Sequence, residues 1–258
     1  MFPEKIPLSV AVITKNEEER LPDCLKSISF ADDIIVVDDG SIDRTVEIAR
    51  EFGCRVFIED WKGYGLQKNS AVEKCKHEWV LVIDADERIP EETARKIKQI
   101  ISDPKSADAY SFPRRNYFHG RWIRYCGWWP DRIIRLMRKN KGCFQAITHA
   151  GWKTNGILEK VNVPIDHYSF TGYSDMLETL NDYSTFHAIE LFTSGIRANP
   201  LSPIYHGIGM FFKIYVLERG FLDGFDGLVI ALTKAGGSFF KYAKLLELQR
   251  ENRNKPSK

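Results

Sequence analysis

The sequence predicts an α/β protein built on a mainly parallel sheet flanked by helices. Three observations carry this. Strand-like and helix-like segments alternate four times in about the first hundred residues. The strand segments are near-continuous apolar runs, as strands buried on both faces require. Several of those runs stop at acids or glycine, the residue types of a turn at a sheet edge.

Each element can be read in order. LSVAVI, 8–13, is the first strand, and the segment after it carries Leu21, Leu25 and Ile28 at helical spacing. DDIIVVDDGS, 32–41, is a second buried strand ending in acids and a glycine turn. In DRTVEIAREFG, Val46, Ala49 and Phe52 share a helical face and Gly53 stops the helix. CRVFI, 54–58, is the third strand, and a helix follows from about Leu66. WVLVIDADER, 79–88, begins as the fourth strand. Pro90 then opens a helix with Ile97, Ile100 and Ile101 on its buried side. From 109 to about 170 the segments are short, aromatic and β-like, which suggests an antiparallel extension over the acid-rich edge. A helix is expected over 173–195, closed by Gly195, and an apolar, aromatic tail follows.

Bulk properties narrow the function. Formal net charge is only +2, so nothing global points to nucleic acid, and no nucleic-acid partner is expected. Nine Lys and Arg residues fall within 114–141; they form either a solvated face or a surface for an anionic substrate or lipid headgroups. Five cysteines, without CxxC, argue against a disulfide framework and for a reducing compartment. The N-terminus lacks the features of a signal peptide, and no stretch of roughly 18 uninterrupted apolar residues occurs.

The chemistry concentrates at the strand ends. In open parallel sheets, ligands gather beyond the carboxyl ends of the strands. Thr14, Asn16 and Glu17 lie just past strand one, Asp38 and Asp39 past strand two, and Asp84, Asp86 and Glu87 past strand four. Carboxylates so crowded repel one another and are costly to desolvate. A divalent cation with hard oxygen ligands, Mg²⁺ or Mn²⁺, would make the crowding tolerable. The plainer explanation is an acid cluster at the start of the following helix.

VITKNEEERL, VVDDGSIDRT, QKNSAV and VIDADE, in that order, resemble the family 2 glycosyltransferases with the nucleotide-diphosphosugar transferase (GT-A) fold. YCGWWPDRIIRL, VPIDHYSF, GFLDGFDGL and FFKYAKLLEL resemble the bacterial branch that adds a sugar to the lipopolysaccharide inner core. The resemblance implies a GT-A domain over 1–198, with a nucleotide-sugar half (1–108) and an acceptor-side half (109–198), and an amphipathic helical tail over 199–258. By position, it implies that Asp39 hydrogen-bonds the uracil of a UDP-sugar and that Thr14, Asn16 and Glu17 line the nucleoside pocket. Lys68 would approach the ribose or diphosphate, Asp84 would touch the ribose or sugar, and Asp86 would coordinate the metal. Asp38 reads instead as a structural acid that caps the following turn.

The implied reaction is an inverting displacement at the anomeric carbon of a nucleotide sugar, glucose being the donor the branch suggests. The attacking hydroxyl needs a general base. Asp131 in WWPD and His149 in AITHAGW compete for that role. Asp131 could instead pair with Arg132 or Arg135, and His149 could be a core histidine. The branch often has an acid directly after this histidine, where this sequence has Ala150. His167 in DHYSF reads as a packing residue next to Tyr168. In the tail, Ile204, Ile208, Phe211, Phe212, Tyr215 and Val216 follow helical spacing among basic residues, as in helices that lie in a membrane interface. A packed hairpin or a dimer interface would give the same pattern. The expectation is a protein in the cytoplasm, peripheral to the inner membrane, acting on a lipid-linked core oligosaccharide. A polyprenyl-phosphate glycosyltransferase and a weakly or non-catalytic nucleotide-sugar-binding membrane scaffold are the alternatives.

Overall fold

The computed structural model describes residues 5–145 and 151–254. The elements run β1 (Ile6–Thr14), α1 (Leu21–Ser27), β2 (Ala31–Asp38), α2 (Thr45–Glu51), β3 (Arg55–Ile58), α3 (Tyr64–Glu73), β4 (Trp79–Asp84), β5 (Glu87–Arg88), α4 (Glu91–Ser102) and β6 (Ala109–Phe118). They continue as β7 (Arg121–Trp122), β8 (Asp131–Arg138), β9 (Gly142–Phe144), β10 (Trp152–Thr154), β11 (Leu158–Lys160), β12 (Ile165–His167), α5 (Tyr173–Thr193), α6 (Ser202–Phe212) and α7 (Gly224–Asn254). The chain divides into two compact units, Met1–Arg115 with Pro130–His167 and Asn116–Trp129 with Tyr168–Lys258.

In the first unit the strand order is β3-β2-β1-β4-β8-β6-β12-β5, with β11 beside β6. The first four strands in that order are parallel, as their apolar runs predict. β8 then pairs antiparallel with β4 and with β6, which is the antiparallel extension expected after residue 109. Side chains of β1 alternate between two cores. Val10 and Val12 join Leu21, Leu25 and Ile97 on one face, while Ala11 joins Ala71, Val72 and Met137 on the other. Helices therefore cover both faces, and this is the α/β fold the sequence implies. Pro90 caps α4 in an extended conformation, Glu91 and Glu92 occupy its first turn, and Thr93, Ile97 and Ile100 form its buried face.

The parallel register sets the functional edge. Thr14 pairs with Asp38, Asp38 with Ile58, and Ile13 with Asp84. Three strand ends thus finish side by side, each with an oxygen-bearing residue.

The second unit is helical, with α5 and α6 both lying along α7. Phe118, Ile123, Cys126, Met176, Ile214, Ile230 and Ala231 form its core. It begins at Asn116 and again at Tyr168, so α5 joins the tail helices. A π-helical turn, Lys213–Leu217, and a 3₁₀ turn, Gly220–Asp223, make the corner between α6 and α7. The corner is tight: a Cβ on Gly227 would lie 1.9 Å from the Gly220 carbonyl oxygen.

Candidate active site

The crowded carboxylates are held first by cations of the chain itself. Lys68 Nζ lies 2.7 Å from Asp84 Oδ1. Arg135 comes from the middle of β8, is fully buried, and binds both Asp84 and Glu87, the latter at 2.6 Å. Arg114 reaches Glu87 Oε1 at 3.4 Å and donates through Nε to Asp131 at 2.9 Å. Burial works against ionisation of Asp84, but Arg135 and Lys68 more than offset it and hold its carboxyl well below the usual range. Burial likewise disfavours the Arg135 cation, yet Asp84 and Glu87 hold it above its ordinary value.

Asp86 stands outside this network. Its Oδ2 lies 3.2 Å from His167 Nε2, while its Oδ1 is buried without a hydrogen-bond partner. The pair is brought together by the short antiparallel ladder of β5 and β12, in which His167 faces Glu87. His167 is therefore not the packing residue its sequence context suggests. It is the neighbouring Tyr168 that stacks, on Tyr117 at 5.0 Å.

At the ends of β1 and β2 the loops are tied together by side chains. Thr14 Oγ1 donates to Asp38 Oδ2 at 3.0 Å, and Ser41 N donates to Asp38 Oδ1 at 2.8 Å. Asp38 is fully buried and caps the turn, as its position implies. Asp39 meets Lys15 at 2.6 Å. Asn16, at φ 53°, accepts from Ile42 N at 2.9 Å, and its own N–H donates to Ser41 Oγ at 2.8 Å. Glu17 N donates to Thr45 Oγ1 at 2.7 Å. Burial pushes the Glu17 carboxyl up to about 7; Arg20 opposes this and the charge on Asp86 adds to it.

Thr14, Asn16, Glu17 and Asp39 thus line the β1 and β2 ends, and Lys68 and Asp84 are joined at the end of β4. Asp131 faces Arg114 directly across the β6–β8 ladder, so its partner is Arg114 rather than Arg132 or Arg135. Arg132 instead donates to the Val161 carbonyl and Asn162. His149 and Ala150 lie outside the described residues. Sequence reasoning missed Arg135, Arg114 and His167 as members of the site. The available signal was the position of Arg135 inside the short apolar run from Ile133 to Met137, where a charge persists only if paired. Much of the basic stretch is likewise spent within the chain: Arg115 pairs with Asp166, Arg121 with Asp226 and Arg138 with Glu78.

The site is thus a strand-end rim of paired acids, with one carboxylate oxygen left over. The sequence profile of Glycosyl transferase family 2 matches residues 9–174. A Rickettsia typhi protein named as an uncharacterized glycosyltransferase is 32% identical over 260 residues, covering 96% of this chain and 89% of its own. The lipopolysaccharide core biosynthesis glycosyltransferase LpsC of Rhizobium meliloti is 27% identical over 256 residues, 94% of this chain and 93% of its own. Among solved structures, S. aureus TarS 1-349 in complex with UDP-GlcNAc gives a TM-score of 0.49 at 16% identity, covering 96% of this chain and 92% of that one. With its profile spanning most of the chain and a relative matched nearly end to end, the protein belongs to glycosyl transferase family 2.

Proposed function

We propose that this glycosyltransferase moves a hexose, glucose by preference, from a UDP-sugar to a lipopolysaccharide core acceptor, inverting the anomeric centre with the help of Mn²⁺ or Mg²⁺. The observation that carries the reading is Asp86, whose buried Oδ1 lacks a partner beside the His167 imidazole at the carboxyl end of the sheet. The relationship to LpsC over nearly the whole of both chains supports the acceptor class.

The donor set fits a divalent cation. Among the described residues no group of three or more His, Cys, Asp or Glu side chains is gathered for a metal. Mg²⁺-type ions are commonly held by one or two carboxylates, with substrate phosphates and water completing the shell. Asp86 would be such a carboxylate, with His167 beside it to orient it or to complete the shell. A bound cation would stabilise the charge that develops on the departing diphosphate.

The remaining roles belong to the chain. Asp39 accepts from the uracil N–H, with Thr14, Asn16 and Glu17 around the nucleoside. Lys68, already ordered on Asp84, brings a cation toward the diphosphate, and Asp84 accepts from a ribose or sugar hydroxyl. An acceptor hydroxyl attacks the anomeric carbon as the bond to the diphosphate oxygen breaks, and Asp131 or His149 takes the hydroxyl proton. Because the acceptor is lipid-linked, the protein works at the cytoplasmic surface of the inner membrane. Among the described residues no helix is long and apolar enough to cross it.

The test is transfer from a panel of nucleotide sugars to truncated core lipids, with Asp86→Ala as control. Glucose transfer that disappears in the variant and in excess chelator is the expected result. Undiminished activity in either would overturn the metal assignment. Transfer to polyprenyl phosphate alone, or UDP-sugar binding without turnover, would replace the acceptor or the enzyme reading.

A further inference from the structure

α6 is apolar on both faces, and only one face is covered. No Lys, Arg, Asp or Glu occurs from Ala198 to Phe212. The inner face packs along α7, with Gly207 close to Ala235 and Phe239 and the His206 ring stacked on Tyr242 at 3.8 Å. On the outer face, Ile204, Ile208 and Phe212 are each at least 50% exposed. The corner that follows adds Leu217, Phe221 and Phe225, exposed by 50–70%. From Leu201 to Leu217 this stripe runs for about 24 Å at the helical rise. A continuous exposed apolar surface of this kind marks a contact with something else.

The charges say what. Of the acids at the corner, Asp223 is buried and accepts from Tyr125 N at 2.8 Å, and Asp226 is bound to His119, Arg121 and Tyr173. Glu218 is half-buried and lies 3.6 Å from Lys213. The cations Arg197, Lys213 and Arg219 are exposed. Acids are turned inward, and aromatic, aliphatic and basic groups outward. A second copy meeting this face across a two-fold axis would set the same cationic rim against itself. An anionic lipid surface satisfies both the apolar stripe and the rim.

We infer that the outer face of α6 and the α6–α7 corner lie in the headgroup region of an anionic membrane, with Ile208, Phe212, Phe221 and Phe225 inserted. The choice of lipid as partner rests on the membrane-surface reading above. The binding test uses neither donor nor acceptor, so a failure of glycosyl transfer leaves it standing.

Sedimentation of the full chain with phosphatidylcholine vesicles, with and without phosphatidylglycerol, tests this. The protein should partition onto the anionic vesicles and be released by salt. Ile208→Asp combined with Phe212→Asp should lower partitioning about tenfold or more, with the circular dichroism and melting temperature retained. Lys213→Gln combined with Arg219→Gln should abolish the preference for phosphatidylglycerol and leave the apolar face in place. Equal partitioning by the aspartate pair, absence of wild-type binding, or a dimer that the aspartate pair dissociates would overturn the inference, the last in favour of a second copy.

Discussion

Lys68 Nζ sits 2.7 Å from Asp84 Oδ1, and the lysine side chain is only 8% exposed. A cation from α3 is thereby locked to the last residue of β4 before any substrate arrives. With Arg135 on the other oxygen of the same carboxylate, the site carries its own neutralising charges. Preorganised charges of this kind need no rearrangement when the reacting groups acquire theirs.

Removing Arg135 should damage the fold before it damages chemistry. Arg135→Met leaves Asp84 and Glu87 without their shared buried cation, at a cost of about 3–5 kcal/mol. Urea denaturation reads this directly. Adding Glu87→Gln should restore part of the loss, because Arg114 is then the remaining cation of a site with one carboxylate fewer, and Asp84 keeps Lys68.

Asp86 should behave in the opposite way. Its Oδ1 has no partner to lose and an asparagine keeps an oxygen for His167, so Asp86→Asn should leave the denaturation midpoint nearly unchanged. Calorimetric titration with UDP should then show weakened binding in the presence of Mn²⁺ and unchanged binding in its absence. His167→Ala should share that signature.

If Asp131 is the base, Asp131→Asn should lower kcat by about 10²–10⁴ with little change in KM. A loss confined to KM would instead assign the residue to acceptor positioning through Arg114.

Glu17 makes stability pH-dependent. Its carboxyl titrates at an ordinary value of 4.5 when unfolded and at about 7 in the fold. Between those values the native state binds more protons, so stability is greatest below pH 4.5 and falls as pH rises through 7. Glu17→Gln should remove that slope and raise stability at pH 8 by on the order of 1–3 kcal/mol. Denaturation midpoints at pH 5 and pH 8 check both statements.

Gly227→Ala should test the corner of the helical unit. The new methyl would meet the Gly220 carbonyl oxygen, so a loss of at least about 1–3 kcal/mol is expected from overpacking. A variant as stable as the parent would mean that the corner opens easily.

How much was legible follows from what each residue depends on. The parallel half could be read because β1, β2 and β4 are buried on both faces and declare themselves as unbroken apolar runs. Asp38 could be read because a turn cap is a local device, acting on Ser41 three residues away. Arg135 and His167 could not. Their partners lie 51 and 81 positions earlier in the chain, and a composition that counts nine cations in one stretch does not say which of them face inward. β12 is only three residues long, too short to carry a period, so the contact it creates with Asp86 had no signature.

The placement of β8 has one last consequence. It runs antiparallel against β4, inside the sheet, although it begins only at Asp131, long after β4 ends at Asp84. A polypeptide ending at residue 108 would leave the open backbone of β4 as a hydrophobic edge and its aspartate without Arg135. Residues 1–108 are therefore no detachable cassette: during synthesis, β4 and its terminal aspartate wait for a later segment to close over them.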